Sequence, residues 1–171
     1  MKKMIIASAI AFSMASVASH AATGTVNFVG TVTAPTCDIV VNGATSGGSN
    51  TIDLGTTTVG IGGTVKDFTL MASPATTCTA HTGDVEVSWQ AAALNDKGIV
   101  STGTATGAYA TLTAVNSKTP SQSVNSTNNA VLFEGEKLKT DGEGLQFKTQ
   151  LVGGQVAGAY QSTISYMVAY K

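Results

Sequence analysis

Arginine is absent from the 171-residue chain, and only 11% of its residues carry a charge. Nucleic-acid binding requires a basic surface that neutralises phosphates, so a DNA- or RNA-reading role has no means of support. Disordered chains combine low hydrophobicity with high net charge, whereas this one is 43% hydrophobic with a formal net charge of −1. Histidine occurs twice, tryptophan once, proline three times and cysteine twice. The supply of catalytic bases and metal ligands is therefore thin. Beyond the N-terminus no apolar run is long enough to span a membrane as a helix.

Threonine fills much of the space these absences leave, with 26 copies. It is β-branched, loses side-chain freedom in a helix and suits a pleated strand. At the N-terminus, Met1-Lys2-Lys3 precedes an uncharged, small-residue run from Met4 to Ala18. This is the pattern of a secretory signal, and Ser19-His20-Ala21 supplies the small residues at −3 and −1 for cleavage before Ala22. Export through the periplasm is expected, with 1–21 as signal peptide. Cleavage leaves seven lysines against ten acidic residues, a net charge of −3. Cys37 and Cys78 both lie in the exported part, where thiols oxidise, so one disulfide is expected. The chain-entropy model assigns the loop it closes roughly 4 kcal/mol.

Alternation with a period of two recurs along the mature chain and marks half-buried strands. Val26, Phe28, Gly30 and Val32 share one face of the first segment. Further strands are expected at Cys37 to Val41, Thr51 to Leu54, Val65 to Met71, Asp84 to Gln90, Tyr109 to Val115 and Leu145 to Leu151. The Asn/Ser/Thr-rich residues 116–129 read as a surface loop. In the last run Tyr160, Ile164, Tyr166, Val168 and Tyr170 share one parity, broken only by Ser162, with Gly158 heading the register. Seven to nine short strands without a helical period predict one antiparallel β-sandwich.

Catalytic constellations are wanting. His81 is the sole base in the mature chain and lies in the polar turn Thr79-Ala80-His81-Thr82-Gly83. That position fits a solvated loop better than a hydrolase triad. Glu134, Glu136, Asp141 and Glu143 are interleaved with Lys137 and Lys139 and lack the spacing of a calcium loop. They read as a solvated charged hairpin. Neither an enzyme nor a cofactor or metal site is expected.

The two ends of the mature chain carry a resemblance. Gly24-Thr25-Val26-Asn27-Phe28-Val29-Gly30-Thr31-Val32 precedes Cys37 closely, Gly158 is fourteenth from the end and Tyr170 is penultimate. With the signal peptide and the single cysteine pair, this order resembles the pilins of the chaperone–usher fimbriae of Gram-negative bacteria, major-subunit type. The resemblance implies an incomplete immunoglobulin-like sandwich, missing its last strand and completed by a donor strand from a neighbouring subunit. It implies domains at 22–33, the donor extension, and 34–171, the pilin body. Val26, Phe28, Gly30 and Val32 would enter the neighbour's groove. Gly158, Tyr160, Ile164, Tyr166, Val168 and Tyr170 would line the acceptor groove, which a periplasmic chaperone fills before the next subunit does.

The implied partners are other copies in a head-to-tail homopolymer, the chaperone and an outer-membrane usher. The implied location is the surface fimbrium, with a role in adhesion to host cells. In some such fimbriae the major subunit itself contacts host carbohydrate. A glycan-binding adhesin, using loops near 42–50, 91–107 or 116–129, is therefore the alternative reading. Periodicity alone equally fits Val26 to Val32 as the domain's own first strand.

Overall fold

The computed structural model describes residues 37–43, 50–73 and 82–171. The chain divides into two compact units, Met1–Val32 and Thr33–Lys171, and all described residues belong to the second. Nine strands and one short 3-10 helix (Gly135–Leu138) make up its regular structure among the described residues. The strands are β1 (Ile39–Gly43), β2 (Gly62–Ala72), β3 (Asp84–Gln90), β4 (Ile99–Val100), β5 (Tyr109–Ala114), β6 (Gln122–Val124), β7 (Ala130–Glu134), β8 (Leu145–Val152) and β9 (Ser165–Tyr170). The larger sheet runs β1-β2-β8-β5-β4, with β6 also on β5, and the smaller runs β7-β3-β9. Every pairing is antiparallel.

The two sheets face each other because alternate residues on each are apolar. On β3, Val85, Val87 and Trp89 turn inward, and on β8 Leu145, Phe147, Thr149 and Leu151 do so. Aromatic rings join the layers. Phe68 stacks on Phe147 at 5.4 Å, and Trp89 meets the Phe147 ring edge-on at 5.1 Å. Phe133 packs on Phe147 from the smaller sheet at 5.4 Å. Edge-to-face and offset pairs of this kind add to the area they bury.

The sandwich has two poles. The near pole carries Cys37, Ala72, Asp84 and Tyr170, since Ile39 pairs with Ala72, Val85 pairs with Tyr170, and the Cys37 N–H donates to the Tyr170 hydroxyl at 3.3 Å. The far pole carries Gly62, Gln90, Val152 and Ser165 through the pairs Gly62–Val152 and Gln90–Ser165.

Several elements differ from the sequence expectation. The loop 116–129 contains β6, whose Val124 is buried against β5. β4 and β7 were not anticipated, and Thr51 to Leu54 contributes only an isolated bridge residue at Ile52. The charged segment 134–143 is a short helix and turn with Leu138 buried beneath it and the ion pair Lys137–Glu143 on its surface. The hydrogen bond from Lys137 holds the Glu143 carboxyl below its ordinary range. Among the described residues no group of three or more His, Cys, Asp or Glu is arranged to hold a metal.

Candidate functional site

β9 pairs with β3 on one side and with no described strand on the other. Its geometry follows from one contact. The Lys171 N–H donates to the Asp84 carbonyl at 2.8 Å, so odd-numbered backbone groups of β9 face β3 and even-numbered ones face outward.

Residues 158–164, expected to belong to this strand, do not pair with β3. They run instead along the 102–105 loop, where the Thr102 N–H donates to the Gln161 carbonyl at 2.7 Å and the Ala105 N–H to the Ala159 carbonyl at 3.1 Å. The Ala159 N–H donates to Thr104 Oγ1 at 2.8 Å. Odd-numbered groups are again the ones consumed, so the outward row continues from 160 to 170 across the change of partner. Gly158 permits the close approach. A Cβ there would lie 2.6 Å from the Thr104 carbonyl carbon and 2.7 Å from the Ala105 nitrogen.

The same parity places side chains. Tyr160, Ser162, Ile164, Tyr166, Val168 and Tyr170 are half-buried, while Gln161, Thr163, Ser165 and Met167 are exposed. Tyr160, Ile164, Tyr166, Val168 and Tyr170 pack on the core from above without being enclosed by it. Beside them opens a cleft of about 320 Å³, walled by Tyr160, Ile164 and Tyr166 on one side and Ile52 and Leu54 on the other. Its floor is the core itself, with Phe68, Leu70, Trp89 and Leu112. Toward the far pole it continues, past the shared Ile52, Leu54 and Tyr160, into a wider cleft of about 890 Å³ lined by Thr56 to Val59 and Val156 to Ser162. Together the two form one groove along the free edge.

The groove is apolar and weakly charged. Asp53 is the single charged residue lining the wider cleft, and its carboxylate is occupied by the Gly55 N–H at 2.8 Å. Burial pushes the Tyr160 hydroxyl up to about 12, and the hydroxyl donates to the Ile99 carbonyl at 3.0 Å. Burial also raises Tyr166, whose hydroxyl reaches the Ile39 carbonyl at 3.4 Å. Two hydroxyl contacts, one from Tyr160 just before β9 and one from Tyr166 on it, thus reach the larger sheet.

Of the six residues expected to line an acceptor groove, Tyr160, Ile164 and Tyr166 wall the narrower cleft, Gly158 lines the wider one against the 102–105 loop, and Val168 and Tyr170 lie farther along β9, outside both clefts. Trp89, Ile52, Leu54 and Leu70 also line the narrower cleft and were not singled out as site residues. They come from distant segments, and only the fold brings them together. Trp89 was anticipated as core, and it forms both core and groove floor. The expected donor residues Val26, Phe28, Gly30 and Val32, together with Cys78 and His81, lie outside the described residues. Cys37 is disulfide-bonded, and Cys78 is the only other cysteine in the chain.

The other edge of the smaller sheet is treated differently. On β7 the Leu132 carbonyl accepts the Lys118 N–H at 2.8 Å, and the Ala130 carbonyl accepts the Gln122 side-chain amide at 2.9 Å. Such capping blunts an edge against stray pairing. Along residues 160–170, which end in β9, a half-buried row faces outward beside a groove that reaches the core.

No model of a known protein family matches the chain. It is 35% identical over 176 residues to the F107 fimbrial protein of Escherichia coli, with both chains covered completely. It is 31% identical over 187 residues to the K99 fimbrial protein of Escherichia coli, with 99% of each covered. Among solved structures, the P pilus rod subunit PapA superposes with a TM-score of 0.52 at 14% identity, covering 86% of this chain and 100% of that one. That likeness supports the incomplete immunoglobulin-like sandwich as the fold. End-to-end identity to two fimbrial proteins, carried on this sandwich, shows that the chain belongs to the fimbrial subunit family.

Proposed function

We propose that the chain is a structural subunit of a surface fimbria that polymerises by donor-strand exchange. The observation that carries this reading is the contrast between the two edges of the smaller sheet. β7 is capped by Lys118 and Gln122, whereas β9 presents its outward backbone groups beside an apolar groove. Strand addition draws affinity from main-chain hydrogen bonds and specificity from alternate side chains in pockets, and pilin donor-strand complementation is a named instance of that mode. Val26, Phe28, Gly30 and Val32 supply the alternating row such a groove accepts. Burying the three apolar side chains contributes roughly 1.5–3 kcal/mol each.

Because the donor row belongs to one copy and the groove to another, the contact is heterologous and builds a filament. Export through the periplasm, a chaperone occupying the groove before assembly, an usher and a role in host-cell adhesion follow from the family as expectations. No feature among the described residues favours the glycan-binding alternative.

The test is a thermal melt of the domain from residue 33 onward, with and without a synthetic peptide of Thr23 to Val32. A strong rise in melting temperature is expected with that peptide and little with one carrying Gly30→Asn. A domain already stable and indifferent to both peptides means that the sandwich is complete without a donor, and the reading fails.

A further inference from the structure

The far pole has an unusual surface. Its segments 54–62, 99–109 and 152–164 contain no charged residue, while Asp53 in the wider cleft and Lys97, 5.9 Å over the Tyr109 ring, stand beside them. Val59, Ile61 and Val156 stand on it 50%, 57% and 51% exposed. They are neighbours, since the Gly60 N–H bonds to the Gly153 and Gly154 carbonyls, the Gly153 N–H bonds to the Ile61 carbonyl, and Val59 and Val156 line one cleft. The near pole differs. Lys118 pairs with Asp84 there at 2.7 Å and Lys171 with Glu86 at 3.3 Å. A sparsely charged patch with exposed branched apolar side chains has the composition of an interface centre.

Chain geometry names the occupant. The described domain begins at Cys37, which is held at the near pole by its bond to Tyr170. The described chain thus starts at the near pole, and a donor segment upstream is tethered to its domain there through Cys37. If donors entered grooves by that same pole, two like poles would face each other and the pair would close on itself. A filament that repeats by a single operation needs entry at the far pole, with the donated strand antiparallel to β9. Val32, the last donor residue, is five residue steps from Cys37, a reach of at most about 18 Å. The donor's domain cannot stand off farther than that short tether allows.

We infer that the apolar far-pole patch of Val59, Ile61 and Val156 is a second contact between consecutive copies of this chain, covered by the near pole of the donor's domain. The inference rests on the donor-strand reading and adds to it a body-to-body interface. Filament stiffness then depends on this pole as well as on the strand.

Hydroxyl-radical footprinting of the full mature chain tests it in three states: dilute monomer, monomer with excess Thr23–Val32 peptide, and assembled fibre. The peptide is expected to cut oxidation of Ile164 and Tyr166 several-fold while leaving Val59, Ile61 and Val156 at the monomer level. The fibre is expected to protect both sets. Far-pole residues oxidised as fast in the fibre as in the monomer, with the groove protected, overturn the inference and leave strand donation standing. Far-pole protection by the peptide alone overturns it too, since the strand and not the domain is then the cover. A groove left unprotected in the fibre removes the donor-strand reading itself, and this inference goes with it.

Discussion

Tyr160 shows how one residue reports on the groove. It is part of an apolar row, yet its hydroxyl is anchored to the Ile99 carbonyl at 3.0 Å, and burial pushes its pKa up to about 12 from 10.0. A pKa raised on folding means that the neutral phenol is favoured in the folded state. The associated stability is complete below pH 10 and drains away as pH rises from 10 toward 12. The domain's melting temperature is therefore expected to fall across that window, and Tyr160→Phe should flatten the fall. At neutral pH the same variant loses one hydrogen bond, about 0.5–1.5 kcal/mol. A Tyr160→Phe melt with an unchanged alkaline slope assigns the titration to other groups, of which Tyr166, also raised by burial, is the next to test.

At the scale of the element, β9 separates two roles by parity. Even-numbered N–H groups face the free edge and odd-numbered ones face β3, so proline, which removes an N–H, distinguishes them. Ala169→Pro strips a hydrogen bond from the β3 ladder and is expected to destabilise the isolated domain by about 1–3 kcal/mol through the acceptor it orphans. Val168→Pro removes an N–H that faces away from β3 and pairs with no described strand. It should cost the isolated domain less while abolishing the melting shift produced by the Thr23–Val32 peptide. Equal peptide shifts for both variants contradict the assigned parity.

The same element marks what the sequence disclosed and what it withheld. Parity identified the inward row from Tyr160 to Tyr170, because side-chain alternation is local. It did not reveal that residues 158–164 leave β3 for the 102–105 loop, since the partner of an extended segment is set by tertiary contacts. β3 matches its expected span because Val85, Val87 and Trp89 alternate cleanly with polar neighbours. β7 was missed because Val131 and Phe133 are too few for a pattern and lead straight into a charged run. Groove residues such as Ile52, Leu54 and Leu70 had no local mark, since each reads as ordinary core.

For the whole molecule, the decisive quantity is the difference between a domain whose groove is open and one whose groove is filled. The cleft beside β9 is lined at its base by Phe68, Leu70 and Trp89, which are themselves buried. Under the donor-strand proposal, filling it with Val26, Phe28 and Val32 would add roughly 5–9 kcal/mol of apolar burial before any main-chain hydrogen bond is counted, which is comparable to the entire stability of a small domain. A filament built that way would resist dissociation about as strongly as its subunits resist unfolding. Fibres of the mature chain are therefore expected to depolymerise only at guanidinium concentrations well above the unfolding midpoint of the monomer. Phe28→Ala should narrow that gap by removing the largest donor side chain, and it should leave the monomer midpoint where it was if Phe28 serves only the neighbouring copy. A fall in the monomer midpoint equal to the fall in fibre resistance places Phe28 in its own domain's core, making Val26 to Val32 the domain's own first strand and the groove a surface feature without an assembly role.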